Sequence, residues 1–464
     1  MASTRKSQYA DLPGRVGEQL SRSLAPGANL LLGLSGGVDS VVLLHILRRL
    51  APQLRFSVRA LYINHGISAN AASWGDFCER LCTTLAVPFA SEAVDIVPYR
   101  ALGIEGAARQ ARHEALARQA GEFTDFIVLA QHRDDQAETL LLQLARGAGA
   151  RGLAGMPVDR EIRGSTARLL RPMLGETRQQ ILDWARQQNL EWVEDESNDD
   201  IALKRNFIRA EVLPQLERGF PGASAAMARS AKLLGDASML LDRMADDDLE
   251  EVSMAHGIRV SELKALGEAR ARNVLRRWSE RRGVPWPGLQ RINELLRQLT
   301  EARSDALINI GVQGWSLRRY RGLLLIEPPG HPRDADFIER WDGEPLMPLI
   351  ALGGLLHFKP EQGRGLSVSK LREGAVTVRL RSGGERVQLS ANGRHRTLKN
   401  LFQERAVPPW RRLQWPLLYS GDNLVAIPGI GESVEFKAMP DEAGLIVSWE
   451  RFDKGGYALR DTVA

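Results

Sequence analysis

Apolar and polar positions follow two rhythms along the first 150 residues. The runs Asn29–Leu34, Ser57–Ile63, Pro88–Val94 and Phe126–Ala130 are short, as buried strands are. Between them, Ser40–Leu50, Ser73–Leu85, Glu105–Ala120 and Asp135–Arg146 repeat their apolar residues at helical spacing. Strands alternating with helices of this length predict βαβ units. The expected fold is α/β, with an N-terminal doubly wound parallel sheet covered on both faces. In such a sheet, ligands bind at the carboxyl ends of the strands.

The rhythm then changes. Pro214 and the run Arg218–Gly222 (RGFPG) mark a boundary, and the stretch from Ala223 to about residue 300 reads as mostly helix. Glu327–Pro345 is rich in Pro, Gly and charge and reads as a linker. After it, Val376–Leu380, Leu424–Ile427 and Gly444–Trp449 are β-type runs broken by Gly and Pro. The pattern predicts a catalytic α/β domain over 1–217, a mainly helical domain over 224–335, and a small α+β C-terminal domain over 345–464. No apolar run approaches the length of a membrane span, and the first residues lack the apolar core of a signal sequence. A cytoplasmic protein without membrane association is expected. Cys78 and Cys82 are the only cysteines, too few for a disulfide framework, and their spacing suits small apolar residues on one helix face.

Candidate chemistry begins where Leu30–Leu34 opens into Ser35-Gly36-Gly37-Val38-Asp39-Ser40 and a helix follows at once. Glycines let backbone N–H groups approach an anion, hydroxyls add donors, and the helix N-terminus supplies a favourable dipole. This is a phosphate cradle without the lysine of a Walker loop. It carries Asp39 instead, which Mg²⁺ can bridge to pyrophosphate. A plain strand–turn–helix junction accounts for a lone Ser-Gly-Gly, but not as well for the whole string after a strand.

A second strand end, Val128–Ala130, leads into Gln131-His132-Arg133-Asp134-Asp135-Gln136-Ala137-Glu138-Thr139. Asp135 and Glu138 stand at i and i+3, on one helix face. That placement suits Mg²⁺, an ammonium group or its deprotonation, and equally acids that favour the dipole of a first helical turn. Arg109 and Arg112 share a face in Glu105–His113, fit to neutralise phosphate charge or to pair with Glu105 on the surface. Glu194–Asn198 and Lys204–Arg209 read only as a loop before a helix.

SGGVDS in this setting resembles the pyrophosphate loop of the N-type ATP pyrophosphatases, whose domain is adenine-nucleotide α-hydrolase-like. Together with INHGIS, EGAARQAR, HRDDQAET, LLRPML, DESN…RNFIR and, near the C-terminus, RSGGERV…GRHRTLKNLFQERAVPPWRR, it resembles the tRNA(Ile)-lysidine synthetase family. The resemblance implies ATP-dependent attachment of free L-lysine to C2 of the wobble cytidine in a CAU-anticodon tRNA(Ile). An adenylated cytidine is the implied intermediate, with AMP and pyrophosphate released. It implies ATP contacts from Ser35, Gly36, Gly37, Val38, Asp39, Ser40, Ile63 and His65, with Mg²⁺ at Asp39 and Asp135. Catalytic roles are implied for Asp39, Asp135, Glu138, Arg109, Arg112 and Arg205, and an RNA contact for Arg209. His113 departs from the family pattern, which often has Tyr there.

Charge extends the picture to the C-terminal part. Between Arg364 and Trp415, twelve Lys/Arg face three acids, an excess larger than the +5 of the whole chain. A polyanionic partner is expected there, through Arg394, Arg396, Lys399, Arg411 and Arg412. The Arg276–Trp278 and Arg318–Arg321 clusters add to that expectation. Trp410 and Trp415 read as core. No obligate protein partner is implied. Three rival readings are a sulfur-transferring tRNA enzyme, a glutamine-dependent synthetase and a catalytically silent RNA binder. They are disfavoured by the poorly placed cysteines, by the want of a Cys–His glutaminase pattern and by the intact loops, respectively.

Overall fold

The strand β1 (Asn29–Gly33) sends Leu30 and Leu32 into one apolar core and Leu31 into another. Side chains alternate along a strand, so a continuous apolar run must be covered on both faces. The computed structural model describes residues 12–452 and 459–460, apart from 69, 163–164, 197–199, 255–256, 287, 304–305, 307, 330–333 and 335. Ser197 and Asn198 therefore lie outside the described residues. The strands that join β1 are β2 (Ser57–Asn64), β3 (Phe89–Ala93), β4 (Phe126–Val128), β5 (Asp159–Glu161) and β6 (Arg168–Leu170). Among the described residues the sheet runs β3-β2-β1-β4-β6-β5. All its pairings are parallel except that of β5 with β6.

Six helices flank this sheet: α1 (Leu12–Ser21), α2 (Val38–Leu54), α3 (Ala71–Thr84), α4 (Gly103–Ala120), α5 (Arg133–Ala145) and α6 (Arg178–Gln187). Helices α1, α2, α3 and α6 fill one core, where Cys78 and Cys82 are fully buried. Ala115, Leu116 and Ala120 of α4 close the other. The strands and helices expected from periodicity are present, with ends displaced by a few residues. Helix α7 (Lys204–Phe207) then runs into a π turn over Ile208–Val212.

Packing separates Met1–Leu240 from Leu241–Ala464, and the division falls inside α8 (Ala223–Val252). In the second unit, α9 (Glu268–Arg281) and α10 (Leu289–Glu301) pack with five strands, β7 (Ser253–Met254), β8 (Gly257–Arg259), β9 (Asn309–Val312), β10 (Trp315–Tyr320) and β11 (Leu323–Glu327). Periodicity did not single out this antiparallel sheet. Its order is β7-β8-β11-β10-β9. The basic cluster of α9 turns inward: Arg276 pairs with Asp242, Arg277 places Nε 2.7 Å from Asp246 Oδ1, and Trp278 is buried.

The remainder builds on two further sheets. The strands are β12 (Ile338–Trp341), β13 (Leu346–Leu349), β14 (Gly354–Gln362), β15 (Leu366–Ser367), β16 (Val376–Arg379), β17 (Arg386–Val387), β18 (Arg396–Thr397), β19 (Leu417–Ser420), β20 (Asn423–Ile427), β21 (Gly431–Glu432) and β22 (Ala443–Arg451). They run β12-β16-β19-β20-β21 and β13-β14-β22-β15, with β17 and β18 as a separate hairpin. Short helices in the segment include α11 (Leu398–Glu404) and α12 (Pro409–Arg412). The stretch read as a linker contains β12 and begins at the end of β11, where Glu327 is 4% exposed.

Glu327 accepts bonds from Arg411 Nε at 3.0 Å and from Arg451 Nη1 at 3.1 Å. Beside it, Arg318 lies over the Trp410 ring, and Arg412 donates to the Val407 carbonyl and the Tyr320 hydroxyl. Burial raises the Glu327 carboxyl, but Arg411 and Arg451 outweigh it and hold the group below its ordinary 4.5. Removing a buried partner leaves two guanidinium groups uncompensated. Glu327→Ala is expected to destabilise the second unit by roughly 3–5 kcal/mol in urea unfolding; a loss under about 1 kcal/mol would place the cluster with weak exposed pairs. Because the folded pKa is depressed, the contribution is present above 4.5 and is lost as pH falls below it. The wild-type advantage over Glu327→Gln is therefore expected to shrink in that acid window.

Candidate active site

In the order β3-β2-β1-β4-β6-β5, the chain reverses direction across the sheet between β1 and β4. A crevice opens at such a switch point, outside the carboxyl ends of the strands. Both loops singled out in the sequence end there. They face a cavity of about 470 Å³ whose wall includes Ser35, Gly37, Asp39, Ser40, Ile63, His65, Arg109, Arg112, Asp135, Arg205 and Arg209.

The loop after β1 is braced from within. Ser40 Oγ donates to the Gly37 carbonyl at 3.0 Å and accepts from the Ser35 N–H at 3.2 Å. Gly36 has φ +84°, a left-handed conformation that favours glycine. A Cβ there would stand 2.7 Å from Val193 Cγ2 and 3.3 Å from Cys78 Sγ. The Val193 N–H donates to the Gly36 carbonyl at 3.0 Å, fastening the loop from behind. Gly36 thus shapes the turn without joining the cavity wall. Val38 likewise points into the core, so any ligand contact it makes is through its backbone. The first-turn N–H groups of α2 have no partner within the helix and meet the cavity at Asp39 and Ser40.

The loop after β4 is ordered by charge. His132, 2% exposed, precedes α5, and its N–H donates to Asp135 Oδ2 at 2.9 Å. Its Nε2 lies 3.7 Å from Asp39 Oδ2 and 3.5 Å from Asp135 Oδ2, and its Nδ1 lies 3.6 Å from Asp134 Oδ2. Burial lowers the imidazole pKa, but Asp134, Asp135 and Asp39 outweigh burial and raise it. Asp134 also accepts from the Arg178 N–H at the start of α6, at 2.8 Å. Burial chiefly raises the Asp39 carboxyl; His132 opposes this and Asp135 adds to it. Asp39 Oδ1 is buried without a hydrogen-bond partner.

Glu138 departs from expectation. It is 1% exposed, stands behind the cavity wall, and spends both oxygens on arginines. Oε2 accepts from Arg205 Nε at 2.5 Å and Oε1 from Arg209 Nε at 2.6 Å. Arg205 Nη2 also reaches Asp135 Oδ1 at 2.8 Å. Glu138 is therefore a positioning residue for two cavity arginines, and is not open to a ligand in this arrangement. Arg209, expected to offset phosphate charge or to couple tRNA binding to closure, lines the same cavity.

Arg109 and Arg112 enter from α4, and burial lowers the pKa of both. The Nε of Arg112 is buried without a partner. Burial, Arg112 and Arg109 push the His113 imidazole down to about 3. The ring is neutral at physiological pH and adds no charge beside the two arginines. Burial followed by Arg112 lowers the His65 pKa as well.

Three contributors escaped the sequence reading. His132 stood inside a quoted motif but received no role. Arg171, 2% exposed, donates from Nε to Gln131 Oε1 at 3.1 Å; a lone arginine in an apolar run, Leu169–Leu174, was the available signal. Asp195, from the loop that compelled no chemistry, joins the cavity wall.

Comparison with known proteins fits this geometry. Residues 14–216 match the PP-loop domain model, 259–325 the TilS substrate binding domain and 376–449 the TilS substrate C-terminal domain. A tRNA(Ile)-lysidine synthase of Nitrosomonas europaea is 37% identical over 97% of this chain and 98% of its own. The chain belongs to the tRNA(Ile)-lysidine synthase family. Members from Pseudomonas syringae (38% identical, 91% of this chain and 94% of that one) and Coxiella burnetii (35% identical, 91% and 93%) span it similarly.

Of the basic residues expected at the RNA, Arg394 and Lys399 are exposed beside the β17–β18 hairpin, and Arg396 pairs with Glu404. Arg411 is drawn onto Glu327, and Arg412 is half-buried, donating to the Val407 carbonyl. Arg319 is buried, donating to the Ala306 carbonyl, and Arg321 donates to that of Gln403. Trp415 is buried, as expected.

Gly36→Ala adds a methyl group at a left-handed position against Val193. Displacing the loop by about 1 Å is expected to lower kcat/KM for ATP by roughly a hundredfold, with a loss of stability of about 1 kcal/mol or more. Steady-state kinetics with unfolding curves checks this; unchanged kinetics would free the turn from its glycine requirement.

Proposed function

We propose that this cavity carries out the family reaction, with ATP cradled by Ser35–Ser40 and the wobble cytidine of a CAU-anticodon tRNA(Ile) admitted beside it. As a family member the chain is an ATP-using ligase that forms lysidine on tRNA(Ile). The supporting observation is the meeting, at one switch point, of the braced loop, Asp39, the His132–Asp135 group and four cavity arginines.

In the proposed sequence, the C2 oxygen of cytidine attacks the α-phosphorus, and pyrophosphate leaves. The ε-amine of L-lysine, having lost a proton, then attacks C2. The C2–O bond breaks and AMP departs with that oxygen. Arg109, Arg112, Arg205 and Arg209 offset the charge that develops on phosphate. Asp135 faces the cavity and would hold the lysine ammonium, while Glu138 fixes Arg205 and Arg209 behind it.

Asp39 Oδ1, buried and unpartnered, fits a divalent cation, with Asp135 nearby across His132. No group of three or more His, Cys, Asp or Glu among the described residues suggests a complete metal cage. That fits Mg²⁺, which usually takes one or two carboxylates together with substrate phosphates. When bound, it would neutralise charge on the leaving pyrophosphate.

The proposed division of labour assigns 1–217 to catalysis, and 224–335 and 345–464 to tRNA, with Arg394, Arg396 and Lys399 on the RNA surface. Among the described residues no helix is long and apolar enough to cross a membrane. The reduced cysteines support a cytoplasmic setting.

Incubating the protein with α-labelled ATP, Mg²⁺, unmodified CAU-anticodon tRNA(Ile) and lysine is expected to yield AMP and a lysine-sized mass gain on cytidine. ADP as product, or no gain, would overturn the reading. Asp39→Ala and Asp135→Ala are each expected to lower turnover at least a hundredfold while tRNA affinity stays within about threefold, as measured by filter binding.

A further inference from the structure

The second unit holds a pocket of about 470 Å³ remote in sequence from the catalytic loops. It opens between β12, β14 and the start of β16, with apolar walls from Trp341, Phe358, Leu371 and Val376. Trp341 and Phe358 stack at 4.4 Å with their planes 16° apart, and the Trp341 N–H donates to the Glu344 carbonyl at 2.8 Å. The indole is thus fixed before anything binds. Two exposed guanidinium groups, Arg340 and Arg372, line the pocket. Arg340 pairs with the exposed Asp342 at 2.8 Å, a pair weak enough to exchange for a stronger anion. Apart from Val376 and Leu445, the lining lies between the stretches that the family models match, 259–325 and 376–449.

A planar, preorganised aromatic wall with cations beside it fits a base and its phosphate. The volume lies within the range of small-ligand sites. A base drawn from a duplex must first be unpaired and unstacked, whereas one from a single-stranded end need not be. We propose that this pocket receives the unpaired 3′-terminal nucleotide of the tRNA, its base beside Trp341 and its phosphate at Arg340 and Arg372. The proposal rests on the reading of the chain as a tRNA-modifying ligase. The wobble base is already committed to the catalytic cavity, and the 3′-terminal nucleotide, free on one side and paired to nothing, enters a pocket without the cost of unpairing.

The test uses the full-length protein and a full-length CAU-anticodon tRNA transcript with 2-aminopurine in place of the terminal adenosine. Ala375→Trp fills the mouth at an exposed position, and Arg372→Glu reverses a charge there. Wild-type protein is expected to quench the 2-aminopurine fluorescence. Each variant should abolish the quench and raise KM for tRNA about tenfold, with kcat and KM for ATP unchanged. A transcript trimmed of its unpaired 3′ nucleotides should bind wild type as weakly as the variants bind the full transcript, and the two losses should not add. Unchanged quenching in both variants, additive losses, or the same variant effect on trimmed RNA would overturn the proposal. Failure of the wild-type protein to form lysidine on the full transcript would instead sink the underlying reading, whatever the variants do.

Discussion

A buried carboxylate with two arginines on it organises the catalytic cavity. Glu138 is almost completely withdrawn from water, and an isolated charge at that depth would be untenable. Its bonds to Arg205 and Arg209 solve that problem for all three groups. They also fix what the cavity presents, because two guanidinium groups from a late helix and a π turn are held against a helix that follows β4. Those arginines join Arg109 and Arg112 in a wall that also carries Asp39, Glu105, Asp135 and Asp195, four cations to four acids. The low pKa of His113 reflects the same field, since burial among arginines leaves no room for another cation.

The sheet supplies the second constraint. Strand order places the carboxyl ends of β1 and β4 side by side although nearly a hundred residues separate them. One edge of the crevice is a tight glycine turn and the other a carboxylate-rich helix start. His132 spans them, near Asp39 on one side and Asp135 on the other. The glycine-turn side of the crevice and the acid side are thus linked through one imidazole.

Much of the first unit was legible because its signals are local. A run such as Leu30–Leu34 has one sensible structure, and a strand passing directly into Ser-Gly-Gly states where the chain must turn. What escaped was pairing. Glu138 and Arg205 lie 67 residues apart, and nothing in either segment says that one consumes the other. The same limit applies to the basic C-terminal part. Arg411 and Arg412 look like an RNA surface in sequence, yet Glu327, from a stretch that resembled a linker, draws Arg411 inward. In the sheet from β7 to β11, β7 and β8 are only two and three residues long, too short to show a period in sequence.

The inward turn of those arginines bears on how ionic strength acts. Affinity for a polyanion falls with salt according to the number of counterions that bound cations release. Counting basic residues from Arg364 to Trp415 would suggest a steep dependence. Arg411 is already held inside the fold by Glu327. A cation neutralised in this way gives rigidity and releases few ions when a polyanion binds. Salt should therefore weaken a polyanion's hold on the C-terminal part less steeply than composition implies.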